Sequence, residues 1–177
     1  LQYFEEKEGS LLFRENGETV MVTPWGANSL RVRAAFLGEI EEGSAALLEM
    51  PEDGRTADPG NGDAQSAGSI VIEAQKASIT NGKIRAELIV NPWGKALQMT
   101  FYNQKGEVLL QEIPNGGALQ KKARHFRPLP GGGYHLKASF VSDPEEKIYG
   151  MGQYQQETFD LKGCNLELAH RNPQARV

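Results

Sequence analysis

The chain has 177 residues, 39% of them hydrophobic and 24% charged, with a formal net charge of −4. Such proportions describe an ordinary globular protein with material for one good core, and no apolar run is long enough for a membrane helix. The acidic balance argues against a nucleic-acid partner, which would lean on clustered Lys and Arg.

Cys164 is the single cysteine, so no internal disulfide can support the fold. A cytoplasmic protein is the expectation. The numbering opens at Leu1 with no signal-peptide pattern, which leaves a trimmed signal peptide as the alternative.

Short runs of β-branched and aromatic residues alternate with turn signals along most of the chain, the pattern of an all-β protein. Ser10 to Arg14 and Thr19 to Thr23 flank Asn16-Gly17, whose residues suit the positive φ angles of a tight hairpin. Ser29 to Phe36 alternates Leu30, Val32 and Ala34 with Arg31 and Arg33, predicting one buried face and one wet face. Residues 51–68 crowd Gly, Pro, Asp, Asn and Ser together and read as a surface loop. Its Asp58 to Asp63 core lacks the spacing and closing Glu of an EF-hand.

Two more strands, Ser69 to Gln75 and Ala77 to Thr80, precede Asn81-Gly82, and Lys83 to Val90 follows, giving the strongest hairpin signal in the chain. Leu97 to Asn103 and Glu107 to Glu112 repeat the plan around Gln104-Lys105-Gly106. Lys121, Lys122, Arg124 and Arg127 form the nearest thing to a basic patch and read as a solvated loop. After Gly131-Gly132-Gly133, Tyr134 to Ser142 alternates Leu136, Ala138 and Phe140 with His135, Lys137 and Ser139, until Asp143-Pro144 breaks the strand. About nine to eleven strands, mostly antiparallel, imply a sandwich of two sheets over one core. We expect one domain over 1–177.

Ordinary chemical signatures are missing. His125, His135 and His170 have no zinc-ligand spacing, and Cys164 has no evident base partner. Neighbouring acids such as Glu5-Glu6, Glu41-Glu42 and Glu145-Glu146 would point to opposite faces of a strand, so they read as solvated charge rather than an acid/base pair. Trp25 and Trp93 each sit in a Pro-Trp-Gly triplet, where a ring could stack on a sugar or anchor a loop. No metal and no cofactor is implied.

The stretch from Asp143 to Val177 is the least ordinary. At its centre, Ile148-Tyr149-Gly150-Met151-Gly152 leads into Gln153-Tyr154-Gln155-Gln156, where permissive glycines precede amides able to donate and accept as sugar hydroxyls require. Composition alone reads it more plainly as a strand running into a tight turn.

The segment Glu146-Lys-Ile-Tyr-Gly-Met-Gly-Gln-Tyr-Gln155, with Leu161-Lys-Gly163, Leu166-Glu-Leu168 and Arg171-Asn172, closely resembles the end of the N-terminal domain in family 31 glycoside hydrolases, the α-glucosidases and α-xylosidases. Met99 to Leu110 looks like a hairpin of that family, and Ser29 to Arg33 like its early strand. The wording around Gln153 and Leu166 to Asn172 is more similar to the α-xylosidase and bacterial branch. The resemblance implies a galactose-mutarotase-like β-sandwich, a supersandwich, that precedes a (β/α)8 catalytic barrel. It further implies that the two catalytic Asp residues of a retaining mechanism lie in barrel motifs outside this sequence, so no catalytic residue is assigned here. Position nominates Gln153, Tyr154, Gln155 and Gln156, with Arg171 and Asn172 behind them, as residues lent to the sugar subsites. The implied partners are the chain's own catalytic barrel and an oligosaccharide substrate, and the whole enzyme could self-associate. An autonomous carbohydrate-binding module, an aldose mutarotase-like enzyme and a purely structural role are the alternatives.

Overall fold

The computed structural model describes residues 2–40, 69–91, 93, 95–114, 122–150 and 158–165. It divides into two compact units, Leu1–Val141 and Ser142–Val177. Among the described residues all regular structure is strand, and no helix is long and apolar enough to cross a membrane.

The first sheet runs β1 (Phe4–Lys7), β2 (Ser10–Glu15), β3 (Glu18–Pro24) and β4 (Leu30–Phe36), each antiparallel to the next. Two-residue connections close its first hairpins: Glu8 (φ 51°) with Gly9 (φ 71°), then Asn16 (φ 52°) with Gly17 (φ 80°). Paired positive φ angles match the right-handed twist of the strands. The Asn-Gly turn is the one expected from sequence. The Glu-Gly turn and strand β1 are additions, because Glu seldom takes this conformation and FEEK has a single apolar residue to suggest a strand.

The second sheet runs β5 (Ser69–Ile72), β6 (Lys76–Asn81), β7 (Ile84–Asn91), β8 (Ala96–Tyr102) and β9 (Val108–Gln111), again antiparallel. The connection between β6 and β7 is Gly82-Lys83, since Asn81 pairs with Ile84 as the last strand residues. Gly82 thus holds the first turn position, the II′ placement of glycine. A Cβ there would come within 2.2 Å of the Ala27 carbonyl oxygen and 2.3 Å of Asn28 Oδ1. Asn81 is freed to bridge the sheets: its Nδ2 donates to the carbonyls of Gly26 (2.8 Å) and Ser29 (2.7 Å) in the β3–β4 connection. Asn28 Oδ1 accepts from the Lys83 amide at 2.8 Å in return.

Strand alternation builds the core between the sheets. Phe4, Leu11, Phe13, Val20 and Val22 of the first sheet meet Ala77, Ile79, Ala86, Leu88, Val90, Leu97 and Met99 of the second, all buried. Phe4 and Phe13 pack with ring centroids 5.8 Å apart. Apart from the two alanines, each such side chain contributes roughly 1.5–3 kcal/mol by leaving water. This is an all-β protein of two multi-stranded antiparallel sheets, as the sequence pattern indicated.

Three strands depart from expectation. On β4, Val32 and Ala34 are exposed while Arg31 and Arg33 are partly covered. The guanidinium groups find partners on that side: Arg31 lies over the Trp25 ring at 4.8 Å, and Arg33 Nη2 donates to Met21 Sδ at 3.2 Å. The supposed basic loop contains β10 (Arg124–Pro128), paired with β11 (Tyr134–Ala138). Every residue of β11 is exposed, Leu136 at 63%. The alternation predicted the strand but not its cover.

Arg124 is the node that ties this hairpin to both sheets. Its Nε donates to Glu18 Oε1 at 2.6 Å, its Nη1 to Glu112 Oε1, and its Nη2 to the Leu97 carbonyl at 3.1 Å. Glu112, 2% exposed, also accepts from the Met99 amide at 2.8 Å. Burial opposes the Arg124 charge, but Glu112 and Glu18 outweigh it and hold the guanidinium above its ordinary pKa. A charge read as solvated is therefore interior, which only complete pairing permits. Nearby, Phe36 stacks on Phe126 at 5.4 Å, and Tyr134 meets both rings edge-on.

Candidate functional site

The terminal stretch carries the residues nominated for sugar contact, and its described parts show how the chain is gathered there. Asp143 starts it with a turn: Oδ1 accepts from the Glu145 amide at 2.9 Å, and the carbonyl from the Glu146 amide at 3.2 Å. β11 has already ended at Ala138, and Pro144 cannot join a strand ladder. Lys162 Nζ donates to the same Asp143 carbonyl.

Asp160 holds the centre. Its Oδ1 accepts from the backbone amides of Ile148 at 3.0 Å and Lys162 at 3.1 Å. Ile148 is gripped twice, because its carbonyl accepts from the Leu161 amide at 2.8 Å. Thr158 Oγ1 donates to the Asp160 carbonyl at 2.9 Å, and Lys147 Nζ lies 3.7 Å from Asp160 Oδ2. The Ile148 amide first, then that of Lys162, holds the Asp160 carboxyl below the usual carboxylate range, with the Lys147 charge adding to the effect. Alongside, the Tyr149 and Phe159 rings lie 4.9 Å apart at 35°. Both rings are exposed, Phe159 at 84%.

Hydrogen bonds and a ring pair thus bring residues 148–149 against 159–161. The positions between them include Gln153, Tyr154, Gln155 and Gln156. Those four, with Arg171 and Asn172, lie outside the described residues. Gly150, at φ 98°, sits in a backbone region that side chains disfavour, where the sequence placed its permissive glycines. Asp160 was not among the sequence candidates. Its signal was present in Asp160-Leu-Lys-Gly163, since an Asp that bonds the amide two residues on makes an Asx turn. Asn91 to Trp93, Asn103 to Lys105 and Asp143 to Glu145 repeat that motif.

The two tryptophans take different fates. Trp25 is covered by Arg31, while Trp93 is 93% exposed. Among the described residues, no three His, Cys, Asp or Glu side chains gather as a metal site would require.

No family model matches the chain. Individual proteins do. An uncharacterized family 31 glucosidase from Pseudescherichia vulneris is 38% identical over 189 residues, taking in 97% of this chain and 32% of its own length. α-Xylosidase A of Aspergillus niger is 24% identical over 177 residues, or 96% of this chain and 23% of that protein. Among solved structures, a GH31 α-xylosidase from a soil metagenome, crystallised with xylose, superposes with a TM-score of 0.76 at 33% identity. The match covers 98% of this chain and 25% of that one. The chain therefore spans about a quarter to a third of the relatives it matches. A likeness that runs through nearly every residue, in sequence and in fold, places the chain in glycoside hydrolase family 31.

Proposed function

We propose that the chain is a non-catalytic β-sandwich part of an α-glycosidase, packing on that enzyme's (β/α)8 catalytic domain and lending Gln153, Tyr154, Gln155, Gln156, Arg171 and Asn172 to its sugar subsites. The observation that carries this reading is the match itself, 97% of this chain against 32% of a family 31 glucosidase. The parent's reaction is then retaining hydrolysis of α-glucosidic or α-xylosidic bonds, in which two carboxyls about 5 Å apart flank the scissile bond. Carboxylates do converge in the sandwich, but Glu18 and Glu112 both close on Arg124 and are spent on its charge. Exposed Leu136 and Phe140, with Val108, Leu109 and Leu110 on β9, supply apolar surface for a packed neighbour.

Two measurements test the reading. The isolated chain should release no nitrophenol from aryl α-xylosides or α-glucosides above the buffer rate; turnover by the purified chain would overturn the non-catalytic role. In the complete glycosidase, Gln153→Ala and Tyr154→Ala should lower kcat/KM while leaving the thermal midpoint in place. Unchanged kinetics would remove these residues from the subsites.

A second reading, an autonomous carbohydrate-binding module, is favoured by the exposed Trp93 ring. Saturable quenching of tryptophan fluorescence by xylo- or gluco-oligosaccharides, lost in Trp93→Ala, would establish it.

A further inference from the structure

The β10–β11 hairpin has one face that neither the core nor the glycosidase reading uses. Its register sets His125 opposite Lys137 and Arg127 opposite His135. Alternation along both strands puts these four side chains on the same side, opposite Arg124 and Phe126. They line a surface cleft of about 310 Å³, and all four are exposed.

What sets the cluster apart is that two cations and two imidazoles converge on one cleft. Arg14, Lys76, Arg85, Lys95 and Arg124 each reach a glutamate. Arg127 and Lys137 reach none among the described residues, although the chain carries a net charge of −4. Cations set together across a strand pair repel each other unless an anion lies between them. Arg127 is also oriented: its Nη2 is 3.1 Å from His135 Nδ1. A guanidinium only donates, so Nδ1 is the accepting atom of this contact. The ring thus fixes one arm of the Arg127 fork and leaves other N–H groups to a ligand, with Lys137 as a mobile point charge beside it.

We propose that this cleft binds a phosphate-type oxyanion, either free phosphate or the phosphoryl group of a sugar phosphate. A phosphate offers three acceptor oxygens and close to two negative charges at neutral pH, which suits Arg, Lys and two imidazoles better than a single carboxylate would. The assignment is independent of the glycosidase reading.

The test titrates the 177-residue chain with sodium phosphate at constant ionic strength, following the Cε1–H signals of His125 and His135 by NMR. Saturable shifts of both signals are expected. Arg127→Ala and Lys137→Ala should each weaken the apparent Kd about tenfold, the loss of one charged hydrogen bond. Arg127→Lys, which keeps the charge without the fork, should fall between Arg127→Ala and the unaltered chain. An unchanged thermal midpoint in these exposed-site variants ties the loss to binding. Glucose 6-phosphate is the second arm: tighter binding than phosphate identifies a sugar phosphate as the source, and equal binding identifies the free ion. Shifts that chloride reproduces, or that never saturate, would overturn the proposal. A response to a glutamate-rich peptide with none to phosphate would also overturn it, making the face a protein contact.

Discussion

The two units of the chain hold themselves together by opposite means. In the sandwich, a buried cation is enclosed by two carboxylates, and a dozen apolar side chains fill the space between the sheets. In the terminal unit, a partly exposed carboxylate is enclosed by backbone amides, and Leu161 is the one buried side chain among its described residues. Buried pairing is costly to break because the surviving charge is stranded in a poor solvent, whereas water readily replaces a lost surface hydrogen bond. The sandwich is therefore built for stability, and the terminal unit for holding a short stretch of chain in shape.

The largest effect should come from breaking the sandwich at its charge node. Arg124→Met would leave Glu18 and Glu112 without their shared cation, at a cost of about 3–5 kcal/mol in a denaturant melt. A midpoint near that of the unaltered chain would mean that water already reaches the node. Next comes Gly82→Ala, where a positive φ and a Cβ only 2.2 Å from the Ala27 carbonyl act together. We expect roughly 2 kcal/mol or more. A neutral result would show that the β3–β4 connection yields without loss.

The smallest effect lies in the terminal unit and depends on pH. The Asp160 carboxyl is held below its ordinary pKa in the folded chain, so its contribution is fully present above the unfolded value of about 3.9. It disappears as pH falls through the lowered folded value. Amide exchange at Ile148 and Lys162 should accelerate over that acid range while the core amides of β7 and β8 stay protected. Asp160→Ala, which removes the accepting oxygen, should give the fast exchange already at neutral pH. Equal acceleration in both units would erase the contrast between them.

Much of the sandwich was legible because its signals are local. Alternation in Ile84–Asn91 and Ala96–Tyr102, and the turn at Asn16-Gly17, follow from side-chain period and backbone sterics acting within a few residues. The misreadings fall where distant partners decide. Arg124 looked like surface charge, because nothing near it in sequence announces Glu18, which lies 106 residues away. Asn81 looked like a turn residue, and its pairing moved the turn one place along so that its side chain could reach Gly26 and Ser29.

The terminal motif shows the same division. Sequence by itself determined the all-β pattern and the family likeness, since both rest on the identity and order of residues. Only the tertiary structure decided that Asp160 gathers Ile148 and Lys162, that β11 is left uncovered, and that His125, Arg127, His135 and Lys137 share one cleft. Burial, charge pairing and convergence are properties of neighbours in space, and a chain acquires those neighbours only when it folds.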